Sequence, residues 1–194
     1  LSGQLSRRLA EQCVSLEELA FVKDVGLNYW TQGRGKVRGG SIAERVLYEG
    51  KRENANDIPY IKGRDIDRYH LEFCNRWVRA DYQNRLNPDV DTFRFSPEFL
   101  QVEKKLIYRQ TSSGLIATID VNGFLVDKTL HTVIWKNVDN RMALEFLLGL
   151  FNSKLFSFLY NDMAQEEDRV FAQVKIFRVK RLPICTINFD DLTD

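Results

Sequence analysis

The chain has 194 residues, a net charge of +1, 44% hydrophobic and 28% charged residues, which suits one globular domain and excludes a low-complexity chain. Phosphate neutralisation favours strongly basic surfaces, so the balanced charge lends no support to nucleic-acid binding by itself and leaves only local basic clusters to carry it. Cys13, Cys74 and Cys185 are dispersed and form no CxxC pair. They predict reduced thiols rather than a disulfide framework. With no secretory signal at the start, the expected location is cytoplasmic.

Leu5 to Gln12 reads as a helical lead-in. Ser15 precedes Leu16-Glu17-Glu18-Leu19, and Glu18 three residues on predicts a capping box on one helical turn. Ala20 to Val25 reads as the first strand, ended by Gly26. Tyr29 to Gly40 is a glycine-rich loop carrying Arg34, Lys36 and Arg38; no Gly-Lys-Ser/Thr follows Gly33-x-Gly35, so it is not read as a nucleotide loop. Pro59 to Gly63 is a strand closing on a glycine turn, and Arg64 to Tyr69 a turn of helix or a tight bend. Trp77-Val78 is a strand, Asn84 to Pro88 a loop, and Pro97 to Leu100 a helix opening.

The strand Leu106 to Arg109 runs into the polar stretch Gln110-Thr111-Ser112-Ser113-Gly114. Ile116 to Asp120 is the next strand, Asn122-Gly123 a hairpin signal, and Phe124 to Val126 and His131 to Trp135 two more strands. Met142 to Asn161 reads as one long helix, with Leu144, Leu147, Leu148, Phe151, Leu155, Phe158 and Leu159 at near-helical spacing. Its Glu145, Asn152, Ser153 and Lys154 are too polar for a lipid span. Val174 to Val179 reads as a closing strand, and Leu182-Pro183-Ile184 ends it. Many short strands with few helices predict an α+β domain with a curled, mixed sheet.

Two basic clusters stand out: Arg34, Lys36 and Arg38, then Arg169, Lys175, Arg178, Lys180 and Arg181. Acidic residues gather elsewhere, in Glu166-Glu167-Asp168 and Asp190-Asp191. Arg109 ends a strand beside polar residues, where a guanidinium can bind guanine O6 and N7 in a bidentate way. Gln110 suits adenine, and Thr111, Ser112 and Ser113 suit bases or phosphates. Lys62 and Arg64 flank Gly63 and suit phosphate. Lys128-Thr129 follows the Asn-Gly turn, and Gln173 and Lys175 alternate with Val174 and Ile176 and so face out of a strand. Arg68-Tyr69 reads as packing, and Asn152-Ser153 as small polar residues that let a helix approach closely. His70, Cys74 and the remote His131 do not make up a four-ligand zinc site. Pro88-Asp89 followed by Glu103-Lys104-Lys105 fits a permissive metal-nuclease pattern, in which two carboxylates hold a cation and a lysine helps activate water.

Four segments occur in order: Ile58 to Tyr69, Lys105 to Ser112, Leu147 to Leu155 and Phe171 to Ile176. The most specific stretches are Ile61-Lys62-Gly63-Arg64-Asp65-Ile66 and Gly149-Leu150-Phe151-Asn152-Ser153-Lys154, with Leu182-Pro183-Ile184 closing the set. From about Leu16 to Ile184 the chain resembles the TaqI-like C-terminal specificity domain, and the target-recognition domains of type I restriction specificity subunits share this plan. The resemblance implies a domain that presses strands and loops into the major groove of double-stranded DNA. It also implies a separate upstream catalytic domain that binds S-adenosylmethionine and methylates adenine N6, with DNA cleavage in the same polypeptide as a further option. The methyltransferase signature Asn/Asp-Pro-Pro-Tyr/Phe has its nearest match here in Asn87-Pro88-Asp89-Val90, which departs at the third and fourth positions. The expectation is therefore a DNA-binding unit with no catalysis, cofactor, metal or membrane contact of its own. Residues 1–15 would be a lead-in, 16–185 the recognition domain and 186–194 a tail, the whole cut from a longer protein. The alternatives are half of a type I specificity subunit and a metal-dependent nuclease using Asp89, Glu103 and Lys105.

Overall fold

The computed structural model describes residues 9, 12–32, 40–99, 102–137, 143–165 and 173–185. Arg34, Lys36 and Arg38, most of the lead-in, Arg169 and the tail lie outside the described residues. The chain order opens with Val14–Ser15 (β1), Leu16–Leu19 (α1), Ala20–Lys23 (β2), Asn28–Thr31 (β3), Ile42–Val46 (α2), Leu47–Glu49 (β4) and Ile58–Ile61 (β5). Ile66–Asp67 (β6), His70–Leu71 (β7), Arg76–Val78 (β8), Asp91–Arg94 (β9), Lys105–Arg109 (β10), Ala117–Asp120 (β11), Leu125–Val126 (β12) and Leu130–Trp135 (β13) follow. Leu144–Asn152 (α3), Lys154–Gln165 (α4), Ile176–Lys180 (α5) and Pro183–Ile184 (β14) close it. The expected α+β class is what the chain adopts. No described helix is long and apolar enough to cross a membrane.

Two four-stranded sheets form the frame. One is antiparallel in the order β11-β10-β13-β2, and the other runs β12-β5-β8-β4 with β12 parallel to β5. Strand β10 is buried on both faces. Leu106 and Tyr108 point into a core shared with Leu147 and Phe151 of α3 and Phe156 and Leu159 of α4. Ile107 points the other way, toward Ile61, Ile66, Val126 and Leu130, as the two-residue alternation of a strand requires. Lys105 shares that second face and sits opposite Asp120 of β11, with Nζ 2.6 Å from Oδ2 and both side chains at most 2% exposed. The Asp120 carboxylate also accepts the N–H groups of Asn122 and Phe124, so the buried lysine charge meets a fully engaged partner.

Several expectations change. The single long helix divides at Ser153, whose backbone is extended. Its Oγ donates to Leu150 O (2.7 Å) and accepts from the Phe156 N–H (3.1 Å), so it ends α3 and caps α4 at once. The expected strand Val174 to Val179 is instead the short helix α5. Tyr160 Oη donates to Gln173 O and accepts the Lys175 N–H, and Gln173 makes an isolated antiparallel bridge to Thr111. The Asn122-Gly123 turn exists, with Gly123 at φ 68°, but β11 and β12 enter different sheets and make no hairpin. The expectation of three reduced thiols is also corrected: Cys13 and Cys185 are disulfide-bonded, leaving Cys74 free. They flank β1 and β14, which pair antiparallel through Val14 and Ile184, a proximity that 172 residues of separation conceal. The Ser15 and Glu18 capping box forms as expected.

Asn152 does more than allow close packing. Its Oδ1 accepts the Ala117 N–H (2.9 Å) and its Nδ2 donates to Ala117 O (3.0 Å), standing in for a missing strand neighbour on β11 at the sheet edge. Replacing it with leucine keeps the volume and orphans a buried backbone N–H, a loss of about 1–3 kcal/mol. A lowered urea midpoint at unchanged slope measures this. Burial also pushes the His131 imidazole below its ordinary value of 6.5. As pH falls through that value the unfolded chain takes up a proton that the folded chain does not, so stability declines below about pH 6.5. In His131→Phe this component is expected to vanish, giving a flatter unfolding profile between about pH 7 and 5.

Candidate nucleic-acid interface

Where the two sheets meet, the ends of β5 and β10 and the start of β13 converge. Asp127 N–H donates to Ile61 O (2.8 Å), Leu130 N–H to Asp127 O (2.9 Å), and Gln110 N–H to Thr129 O (2.8 Å). The Gly63 N–H donates to Thr129 Oγ1 (2.8 Å). These bonds tie the turn after β5 to the segment before β13 and leave a recess of about 380 Å³ lined by Lys62, Gly63, Arg64, Arg109, Thr111 and Thr129. Residues predicted separately from three stretches of sequence thus share one wall. The lining has three cations, two hydroxyls and no carboxylate, the donor set that phosphate oxygens and base-edge acceptors require.

Each cation is held differently. Lys62 opens a single 3-10 turn, Gly63–Asp65, in which the Lys62 N–H donates to Asp65 Oδ2 (2.7 Å). Asp65 is 4% exposed and pairs with Arg76 Nη1. Arg76 Nε in turn donates to Glu49 Oε1 (2.8 Å). Burial disfavours the Arg76 charge, but Glu49 and Asp65 outweigh it and raise its pKa above the ordinary value. Arg64 is exposed and approaches the same Glu49 at 3.4 Å. A solvated pair of this kind is weak, so Arg64 can exchange Glu49 for a phosphate. Sequence reasoning passed over Glu49 and Arg76. The available signal was an arginine inside the apolar strand Arg76-Trp77-Val78, since a buried arginine needs a partner.

Arg109 lies at the end of β10 on the face shared with Ile107. Its Nε and Nη2 both donate to Ile66 O, the former at 3.1 Å. The guanidinium is thus fixed in plane at the recess wall by two N–H groups, with the remaining donors of the fork available to the recess. Beside it, Gln110 and Lys175 line an adjoining recess with Asp24, His131, Phe177 and Lys180, and Gln173 sits at the bridge to Thr111 between the two. Thr111 and Ser113 are exposed and Ser112 half-buried, its Oγ donating to Gly114 O. Lys128 is set apart: it lines a third recess with Asn28 and Arg94, and its Nζ lies 5.9 Å from the Tyr29 ring centroid.

The nuclease alternative meets a different geometry. Lys105 is committed to Asp120 in the interior, away from any water it would activate. Asp89 lies in an exposed turn, where its N–H donates to Asn87 Oδ1 (3.2 Å). Among the described residues no three His, Cys, Asp or Glu side chains are grouped to hold a metal ion.

Gly63 sets how closely the two segments approach. A Cβ there would lie 3.1 Å from Thr129 O and 3.2 Å from Thr129 Oγ1, tighter than ordinary contact, with a backbone atom on one side. Gly63→Ala is expected to spread the recess and lower stability by about 1–3 kcal/mol, read from the urea midpoint.

Two likenesses to known proteins bear on this geometry. The chain is 25% identical over 148 residues to a Methanocaldococcus jannaschii protein named "Putative type II restriction enzyme and methyltransferase". The match covers 75% of this chain and 12% of that protein's length. The family model of the TaqI-like C-terminal specificity domain matches residues 58–184, which takes in every segment lining the recess. With more than half of its length matched, the chain belongs to the family of TaqI-like C-terminal specificity domains.

Proposed function

We propose that this chain is the DNA-recognition domain of a restriction-modification enzyme, and that it holds duplex DNA against the recess where its two sheets meet. The observation that carries the reading is the convergence of Lys62, Arg64, Arg109, Thr111 and Thr129 on one carboxylate-free wall in a member of a specificity-domain family. Lys62 and Arg64, at the rim, take phosphates. Arg109, braced against Ile66, presents its free guanidinium edge to base acceptors, and Thr111 and Thr129 supply hydroxyls. Gln110 and Lys175 extend the footprint into the adjoining recess, with Gln173 at the bridge to Thr111 and Lys128 in the third recess.

Chemistry belongs to a separate domain upstream, which binds S-adenosylmethionine and methylates adenine N6; residues 16–185 position the duplex for it. The name of the Methanocaldococcus jannaschii relative supports a methyltransferase partner in the same polypeptide. The departure of Asn87-Pro88-Asp89-Val90 from the methyltransferase signature supports its being elsewhere.

Duplex binding by the full-length protein, titrated against salt, tests this. Lys62→Ala and Arg64→Ala are each expected to lower the slope of log K against log salt by about 0.9 and to weaken binding alike on all sequences. Unchanged slopes in both variants, or no duplex binding at low salt, would overturn the assignment.

A further inference from the structure

The turn that follows the recess carries an unusual residue. Strands β6 and β7 pair through Ile66 with Leu71 and Asp67 with His70, so Arg68 and Tyr69 form a two-residue hairpin loop. Tyr69 has φ 62°, in the left-handed region that costs a bulky side chain free energy and that glycine or asparagine ordinarily occupies in such loops. Its side chain is 61% exposed, which corrects the expectation that Arg68-Tyr69 is packing. Asp67, Arg68 and His70 beside it are exposed as well. The ring therefore gains little from the fold in return for its conformation, the pattern of strain kept for a purpose other than stability.

The tip is nonetheless firmly aimed. The Tyr69 N–H donates to Ala117 O (3.1 Å), the same carbonyl that accepts Asn152 Nδ2. The Glu72 N–H donates to Asp65 O (2.9 Å), and the carbonyl of Ile66, on the first strand of the hairpin, accepts two N–H groups from Arg109. The hairpin is thus braced against β11 on one side and against the cationic recess on the other, and it projects an aromatic and a cation from a rigid base.

Resting on the recognition reading above, we propose that the Arg68-Tyr69 tip enters a DNA groove, with Tyr69 a specificity-determining residue and Arg68 a phosphate contact beside it. A tyrosine suits the major groove: its ring packs on a thymine methyl, and its hydroxyl both donates to and accepts from base edges. The tip is adjacent to Arg109, so both read neighbouring positions of one duplex.

Glycine at this position relieves the backbone and removes the ring, which separates a role in the fold from a role in reading. The full-length protein, Tyr69→Gly and Tyr69→Asn are each incubated with a pool of randomised duplexes, and the bound fractions are sequenced. Affinities for the wild-type motif and a scrambled duplex, and the melting temperature, are then measured. The expected result is an equal or higher melting temperature in both variants, unchanged affinity for the scrambled duplex, and discrimination between motif and scrambled duplex reduced about tenfold. Undiminished discrimination, or a lowered melting temperature in both variants, would assign Tyr69 to the fold and overturn the proposal while leaving the recognition reading in place. If the wild-type protein enriches no motif at all, the recognition reading falls and this proposal with it.

Discussion

Strand β10 is sealed on both faces, and the rest of the domain is arranged around that constraint. Its even positions, Leu106 and Tyr108, supply the core under α3 and α4, and its odd position Ile107 supplies the core between the sheets. A strand placed so cannot send a polar side chain to solvent along its length. Lys105, at its start, is therefore neutralised by Asp120 directly across the ladder. Arg109, at its end, is the first residue on the inter-sheet face with room to reach outward, and there it meets the Ile66 carbonyl. The same alternation that buries one cation delivers the other to the recess.

The recess depends on backbone as much as on charge. Thr129 contributes its carbonyl to Gln110 and its hydroxyl to Gly63, so one residue joins the loops that follow β5 and β10. Gly63 permits that approach because a Cβ there would crowd the Thr129 carbonyl and hydroxyl at 3.1 and 3.2 Å. Behind it, Asp65, Arg76 and Glu49 form a charged chain from the interior to the surface. That chain holds the turn carrying Lys62 and Arg64 without consuming either cation in a buried pair. In the wall built this way the turn backbone is fixed through Asp65 and the Arg109 guanidinium through Ile66.

The hairpin of β6 and β7 and the helix break at Ser153 meet at Ala117. Asn152 bonds both backbone groups of that residue, and Tyr69 bonds its carbonyl from the other side. The position of the hairpin tip is in this way linked to the last turn of α3. Within the matched stretch Gly149 to Lys154, Asn152 and Ser153 then have distinct physical tasks. Asn152 completes a sheet edge, and Ser153 ends one helix and starts the next.

By itself, the sequence determined the α+β class, the capping box at Ser15, strands β10 and β13 and the polar turn after Arg109, because local periodicity and capping chemistry act over a few residues. Its ordered motifs also identified the family, and its polar and basic stretches offered Lys62, Arg64, Arg109, Thr111 and Thr129 among fourteen separate candidates. The tertiary structure alone decided that these five share a wall, that Lys105 is spent on Asp120, and that Cys13 bonds Cys185, since each depends on strand pairing between distant segments. It also decided the fate of residues whose local signals were ambiguous. Val174 to Val179 alternates like a strand, yet Tyr160 holds the backbone at Gln173 and Lys175 and the chain turns into α5. Met142 to Asn161 is periodic like one helix, yet Ser153 finds a better use for its hydroxyl as a cap. Tyr69 looks apolar enough to bury, but the two-residue loop between β6 and β7 turns it to solvent, and no periodicity in the sequence could have foretold that direction.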